Sequence, residues 1–135
     1  MQRLKNQVLQ IILFSFIWLL VICTLIGGNA RIELFYVWKL LAISGIIGSV
    51  FGFLYPYTWE YLTWSALFNS IVMTGVNVVA GYVSLYLFSD TLFSFILPYW
   101  WAVLLVTLIL HLFMYQFYRR YENRKIARQL NRLKD

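Results

Sequence analysis

The stretch "VLQIILFSFIWLLVICTLI", residues 8 to 26, decides what kind of protein this is. It carries no charge, and at about 1.5 Å per residue its length comes close to the ~30 Å hydrocarbon core of a bilayer. Three further runs follow it: Leu34 to Leu54, interrupted only by Lys39, then Ala66 to Phe88, and Phe95 to Tyr118. Each is long enough to span with some tilt. The chain as a whole is 62% hydrophobic and 12% charged, whereas soluble domains carry about a quarter charged residues. The expectation is an all-α polytopic membrane protein of one domain, with four transmembrane helices in an antiparallel bundle.

The first run exceeds the ~7 to 15 residue apolar core of a cleavable signal, and Gly27-Gly28-Asn29-Ala30 makes a poor cleavage site. It is read as a retained span. Arg3 and Lys5 precede it, and seven of the eleven Lys and Arg residues fall in the last seventeen positions. By the positive-inside rule both termini face the cytoplasm, which an even number of spans requires. Residues 27 to 33 and 89 to 94 then form outer loops, and residues 55 to 64 a cytoplasmic one. Aromatic residues such as Trp38, Tyr55, Trp59, Trp64, Trp100 and Trp101 cluster near the span ends, at headgroup level.

Helices in lipid associate through small residues and interhelical hydrogen bonds. Ala42, Gly45, Ser49 and Gly52 recur on the second span, where Gly48 and Gly52 also form a GxxxG. On the third, Ala66, Ser70, Thr74, Asn77, Gly81 and Ser84 share one face at ~100° per residue. These stripes read as a seam between spans two and three, or as a seam for a second copy in a homo-oligomer. Asn69 and Asn77 each need a hydrogen-bond partner, because an unpaired amide in hydrocarbon costs a few kcal/mol.

Two ionisable residues lie within spans. Lys39 sits about one turn from the outer end of span two, close enough to extend its ammonium to the interface, to pair with Glu33 or Asp90, or to serve a substrate. His111 reads as a hydrogen-bonded packing residue or a proton relay, and a relay lacks a second titratable group in mid-span. No nucleophile triad, metal motif or nucleotide-binding glycine pattern is present. A lone Cys23 excludes an internal disulfide. The reading is of a non-enzyme without cofactor.

Past Phe117 the fourth helix is expected to continue as a basic helix in which Ile126, Leu130 and Leu133 recur on one stripe. Arg119, Arg120, Arg124, Lys125, Arg128, Arg132 and Lys134 lie mostly around it. Such a helix can hold topology against anionic lipid headgroups or dock a cytoplasmic protein. Direct nucleic-acid contact is not expected, for want of a recognised fold around it.

The hairpin "GIIGSVFGFLYPYTWEYLTWSALFNSIV", Gly45 to Val72, and the ending "YRRYENRKIARQLNRLKD" carry a resemblance. With "VFG" closing span two, the pair Trp59-Glu60, the Trp64-Ser65 step opening span three and the basic close, the chain resembles a Firmicutes family of small four-helix membrane proteins of unknown function. Members are often encoded beside LytTR-type transcription regulators. The resemblance implies a membrane-bound inhibitor that sequesters a cytoplasmic DNA-binding regulator, through Trp59, Glu60 and Tyr61 and through Arg124, Lys125, Ile126, Arg128, Leu130 and Leu133. A small transport or bacteriocin-resistance protein is the alternative.

Overall fold

A computed structural model describes residues 2–28 and 32–132, apart from the side chains of residues 2, 118, 121, 122 and 125–132. The described chain is helical, with no strand. Helix α1 spans Gln2–Gly27; α2, Leu34–Ser49, passes through a π-helical segment, Val50–Leu54, into α3, Tyr55–Glu60. Helix α4 covers Ala66–Phe88, α5 covers Asp90–Ile96, and a 3₁₀ turn at Leu97–Tyr99 leads into α6, Trp100–Arg132. Four of the resulting rods are long and apolar enough to cross a bilayer: Arg3–Gly27, Leu34–Glu60, Ala66–Phe88 and Asp90–Phe117.

Local chemistry sets the breaks between rods. Gly28 ends α1 at φ 54°, a left-handed conformation that costs other residues about 1–2 kcal/mol, and its N–H closes on Thr24 O at 3.0 Å. Ser65 caps α4 by accepting from the Phe68 N–H at 3.3 Å, and Trp64 packs edge-on against Phe68 with ring centroids 5.1 Å apart. Ser89 alone joins α4 to α5: its backbone N–H bonds Leu85 O at 2.8 Å, and its hydroxyl accepts from the Leu92 N–H at 3.4 Å. Asp90, in the first turn of α5, complements the helix dipole.

Two expected loops are therefore mostly helix. Residues 55 to 60 continue the second rod, leaving residues 61 to 65 as the connection, and residues 90 to 94 belong to α5. A proline lies in or beyond each of these segments, and a proline inside a helix ordinarily breaks it. Pro56, however, follows the π segment, where the helix has already stepped into a wider register and the Tyr55 N–H reaches back to Val50 O. Pro98 sits within the 3₁₀ turn, where its missing N–H breaks no α-helical ladder.

The rods alternate in direction. The start of α1 lies against the end of the π segment, with Val8 on Gly52, and the start of α2 meets the end of α4, where the Tyr36 hydroxyl donates to Phe88 O at 2.9 Å. Helix α1 packs on α2, the second rod on α4, and α4 on α6; among the described residues no comparable contact joins α1 to α6. The helices thus form a row of neighbours, and most of the outer surface of α1 and α6 stays exposed.

The small-residue stripes divide between two faces. A Cβ added to Gly52 would sit 2.8 Å from Val8 Cα, and one on Gly48 would overlap the Ile12 side chain, so this GxxxG receives α1. That corrects the assignment of Gly52 to a seam with the third span. Gly45 and Gly81 have open space where a Cβ would go, and Ser49 is exposed, its hydroxyl bonded to Gly45 O at 2.8 Å, so none of these three packs against a neighbouring helix. For Gly52 the π segment supplies a reason: more residues per turn than an α-helix means less rotation per residue, which brings Gly52 back over Gly48 and out of line with Gly45.

Buried residues on the second rod include Leu40, Ile43 and Ser44, and those on α4 are Asn69, Ser70, Met73 and Thr74. The three hydroxyls satisfy themselves on the preceding turn, Ser44 on Leu40 O, Ser70 on Ala66 O and Thr74 on Ser70 O, at 2.8–2.9 Å. This leaves no hydroxyl proton for a neighbour, and the Oδ1 of Asn69 is buried with no hydrogen-bond partner among the described residues. The partner expected for Asn69 is thus missing at that atom, whereas Asn77 has several.

Candidate functional site: a polar junction and an aromatic cavity

Tyr55, Asn77 and His111 come from three different rods and meet in one hydrogen-bonded group. The first turn after the π segment aims Tyr55 at α4 and α6. Its hydroxyl contacts His111 Nε2, and Asn77 Nδ2 lies 2.7 Å from the same hydroxyl. Asn77 Nδ2 also reaches Met73 O at 2.8 Å and lies 3.3 Å from His111 Nε2.

The other imidazole nitrogen, Nδ1, is 2.8 Å from Thr107 O. A carbonyl only accepts, so Nδ1 carries the proton and Nε2 of the neutral ring accepts from the Tyr55 O–H. The Tyr55 oxygen in turn accepts from Asn77, whose second N–H goes to Met73 O. Every proton in this chain has an acceptor when His111 is neutral. His111 is thus hydrogen-bonded through both ring nitrogens, and one of its partners is itself a titratable group, Tyr55.

The junction forms one wall of a cavity of about 590 Å³, within the range of small-molecule sites. It is lined from the second rod, α4 and α6. Phe51, Tyr55 and Trp59, at successive i, i+4 positions, line one side, the first two stacked with centroids 5.3 Å apart. Leu110, Met114 and Tyr115 of α6 line the other. Ser70 contributes from α4, and Glu60 is the one carboxylate in the lining among the described residues.

A second aromatic ladder faces elsewhere: Phe53 stacks on Tyr57 at 5.4 Å and Tyr57 on Tyr61 at 5.7 Å, all three exposed. Of the residues associated with partner binding, Trp59 and Glu60 thus join the cavity while Tyr61 belongs to the outward ladder. Arg119, Arg120 and Arg124 are exposed on α6, which remains helical in its backbone to Arg132. Lys125, Ile126, Arg128, Leu130 and Leu133 lie outside the residues whose side chains are described.

Lys39 is half-buried and far from the cavity. Its Nζ sits 5.8 Å from the centroid of Phe35, one turn nearer the end of α2, the direction an ammonium takes toward water. Among the described residues it forms no salt bridge with Glu33 or Asp90. No three His, Cys, Asp or Glu side chains gather as a metal site among the described residues.

Tyr55 is the participant that residue-by-residue reading passed over, as one interfacial aromatic among ten tyrosines. The available signal was the shared need of Asn77 and His111 for partners. Compared with family models, curated proteins and solved structures, the chain matches none.

Proposed function

We propose that this is a multi-pass protein of the bacterial cell membrane, with both termini in the cytoplasm, that binds and inhibits a cytoplasmic LytTR-type transcription regulator without catalysing a reaction. The observation that carries the reading is the continuity of α6. Its 33 residues reach about 50 Å, well beyond a bilayer's hydrocarbon core, so the helix projects its basic end as a rigid extension of the last rod.

The distribution of charge supports the orientation. Exposed Arg3, Lys5, Arg119, Arg120 and Arg124 share one end of the molecule, and exposed Glu33 and Asp90 share the other. The exposed rings of Tyr57 and Tyr61 lie at the same end of the second rod. An acidic or mixed-charge surface of a soluble protein can dock there, in competition with anionic headgroups that attract each cation by about 1 kcal/mol.

A cross-linked pull-down from native membranes tests this, comparing the full chain with one ending at Tyr121. The expected result is a soluble DNA-binding regulator captured by the full chain and absent with the shortened one. Capture of membrane proteins alone, or equal capture by both chains, contradicts it. The cavity favours a second reading, a small transport or bacteriocin-resistance protein. That role would survive the truncation and fail on His111→Leu.

A further inference from the structure

We propose that the cavity is a lateral groove that binds one acyl chain of a phospholipid and holds it while the lipids around the rest of the molecule exchange. The inference rests on the membrane location and is independent of the partner that the protein serves.

The groove lies at the depth of lipid tails and opens sideways. Phe51, Leu110 and Met114 fall inside the spans Leu34–Glu60 and Asp90–Phe117. Leu110 and Met114 are 58% and 66% exposed although both line the groove, and Phe51 is half-exposed. No rod covers that side, because α1 is taken up at Gly48 and Gly52 by Ile12 and Val8, and among the described residues it makes no comparable contact with α6. In a bilayer, what stands beside an uncovered groove at this depth is hydrocarbon.

The polarity of the lining follows the same pattern as a lipid. In its interior wall the Tyr55 hydroxyl is engaged with His111 and Asn77, and Ser70 donates to Ala66 O at 2.9 Å. A chain of methylenes neither offers nor requires a hydrogen bond there. The other polar side chains of the lining, Trp59, Glu60 and Tyr115, stand in the last turns of the two spans, where a tail gives way to its headgroup.

Concavity separates this site from ordinary lipid-facing surface. The stack of Phe51 on Tyr55, at 5.3 Å, continues to His111, at 6.0 Å, and forms a wall already ordered before a chain arrives. A chain in a groove of about 590 Å³ has dispersion contacts on several sides, whereas one against the exposed Leu9 and Leu13 of α1 is touched on one side only. Those two residues make a depth-matched comparison, since Val8 lies against Gly52.

The test reconstitutes the full chain in phosphatidylethanolamine nanodiscs that include a phosphatidylethanolamine with a photoreactive diazirine in its acyl chain. Co-migration of chain and nanodisc checks the membrane location separately. After irradiation, the labelled residues are found by mass spectrometry. The expected result is labelling of Phe51, Met114 and Tyr115 about tenfold above Leu9 and Leu13, and one phospholipid retained per chain on extraction into mild detergent. Met114→Trp, which adds bulk at the groove, lowers both signals about tenfold, and Leu105→Trp, on an exposed part of α6 outside the lining, changes neither. Labelling spread evenly over α1 and the groove, extraction of the chain without lipid, or equal effects of the two variants would overturn the proposal.

Discussion

Tyr55→Phe removes one oxygen atom from the junction of three helices and leaves the aromatic ring in place. Two inter-rod hydrogen bonds disappear with it, the one to His111 Nε2 and the 2.7 Å bond from Asn77. Interhelical hydrogen bonds in a membrane average about 0.6 kcal/mol and reach about 1.7, so the pair accounts for roughly 1–3 kcal/mol. Part of this is recovered, because Asn77 keeps Met73 O at 2.8 Å and lies within 3.3 Å of His111 Nε2. The expected loss is therefore in the lower half of that range, about 1–2 kcal/mol. Denaturant unfolding of the protein in bicelles, followed by tryptophan emission, measures it. A double-mutant cycle with Asn77→Ala should return a coupling near the single-bond value, about 0.6–1.7 kcal/mol. A variant within about 0.3 kcal/mol of the parent, or no coupling in the cycle, would refute the bond assignments.

Gly52→Ala forces a methyl group against the backbone of Val8, which cannot turn aside, and should cost about 1–3 kcal/mol in the same unfolding assay. Gly45→Ala and Gly81→Ala meet open space and should stay within about 0.5 kcal/mol of the parent. Lys39→Leu should leave regulator capture unchanged, since Lys39 lies at the end of the molecule opposite the proposed docking surface. Replacing Arg119, Arg120 and Arg124 with Gln should weaken association with anionic vesicles by up to about 1 kcal/mol per cation at low salt, read from flotation of the solubilised protein.

How far the sequence reaches is clear from particular residues. The four apolar rods follow from the length and freedom from charge of runs such as Val8 to Ile26, signals that need no knowledge of neighbours. The rod ends were harder to read: the loop expected at 55 to 64 is helix to Glu60, and the one expected at 89 to 94 is helix from Asp90. Ser89 shows the same limit: a one-residue connection needs an extended backbone that also caps the next helix, and residue type alone does not announce it.

The π segment also explains why the packing faces were misassigned. A constant 100° per residue puts Gly45 and Gly52 on one face, and the wider turn at Val50–Leu54 separates them. Within the site, Asn77 and His111 stand out as polar residues in apolar runs, but positions 55, 77 and 111 have no linear relation. Only the order of helices in the row brings them together. Glu60 and Trp59 were associated with a partner because of their place near a loop, and the continuation of the rod through α3 turns them toward the cavity.

The central claim is inhibition of a transcription regulator, and transcription itself is the most direct readout. RNA sequencing would compare cells lacking the gene with cells complemented by the full chain or by the chain ending at Tyr121. The account predicts one regulator's target genes induced in the deletion strain, silenced by the full chain and still induced with the truncated one. Unchanged transcripts in the deletion strain, or complete silencing by the truncated chain, would contradict it.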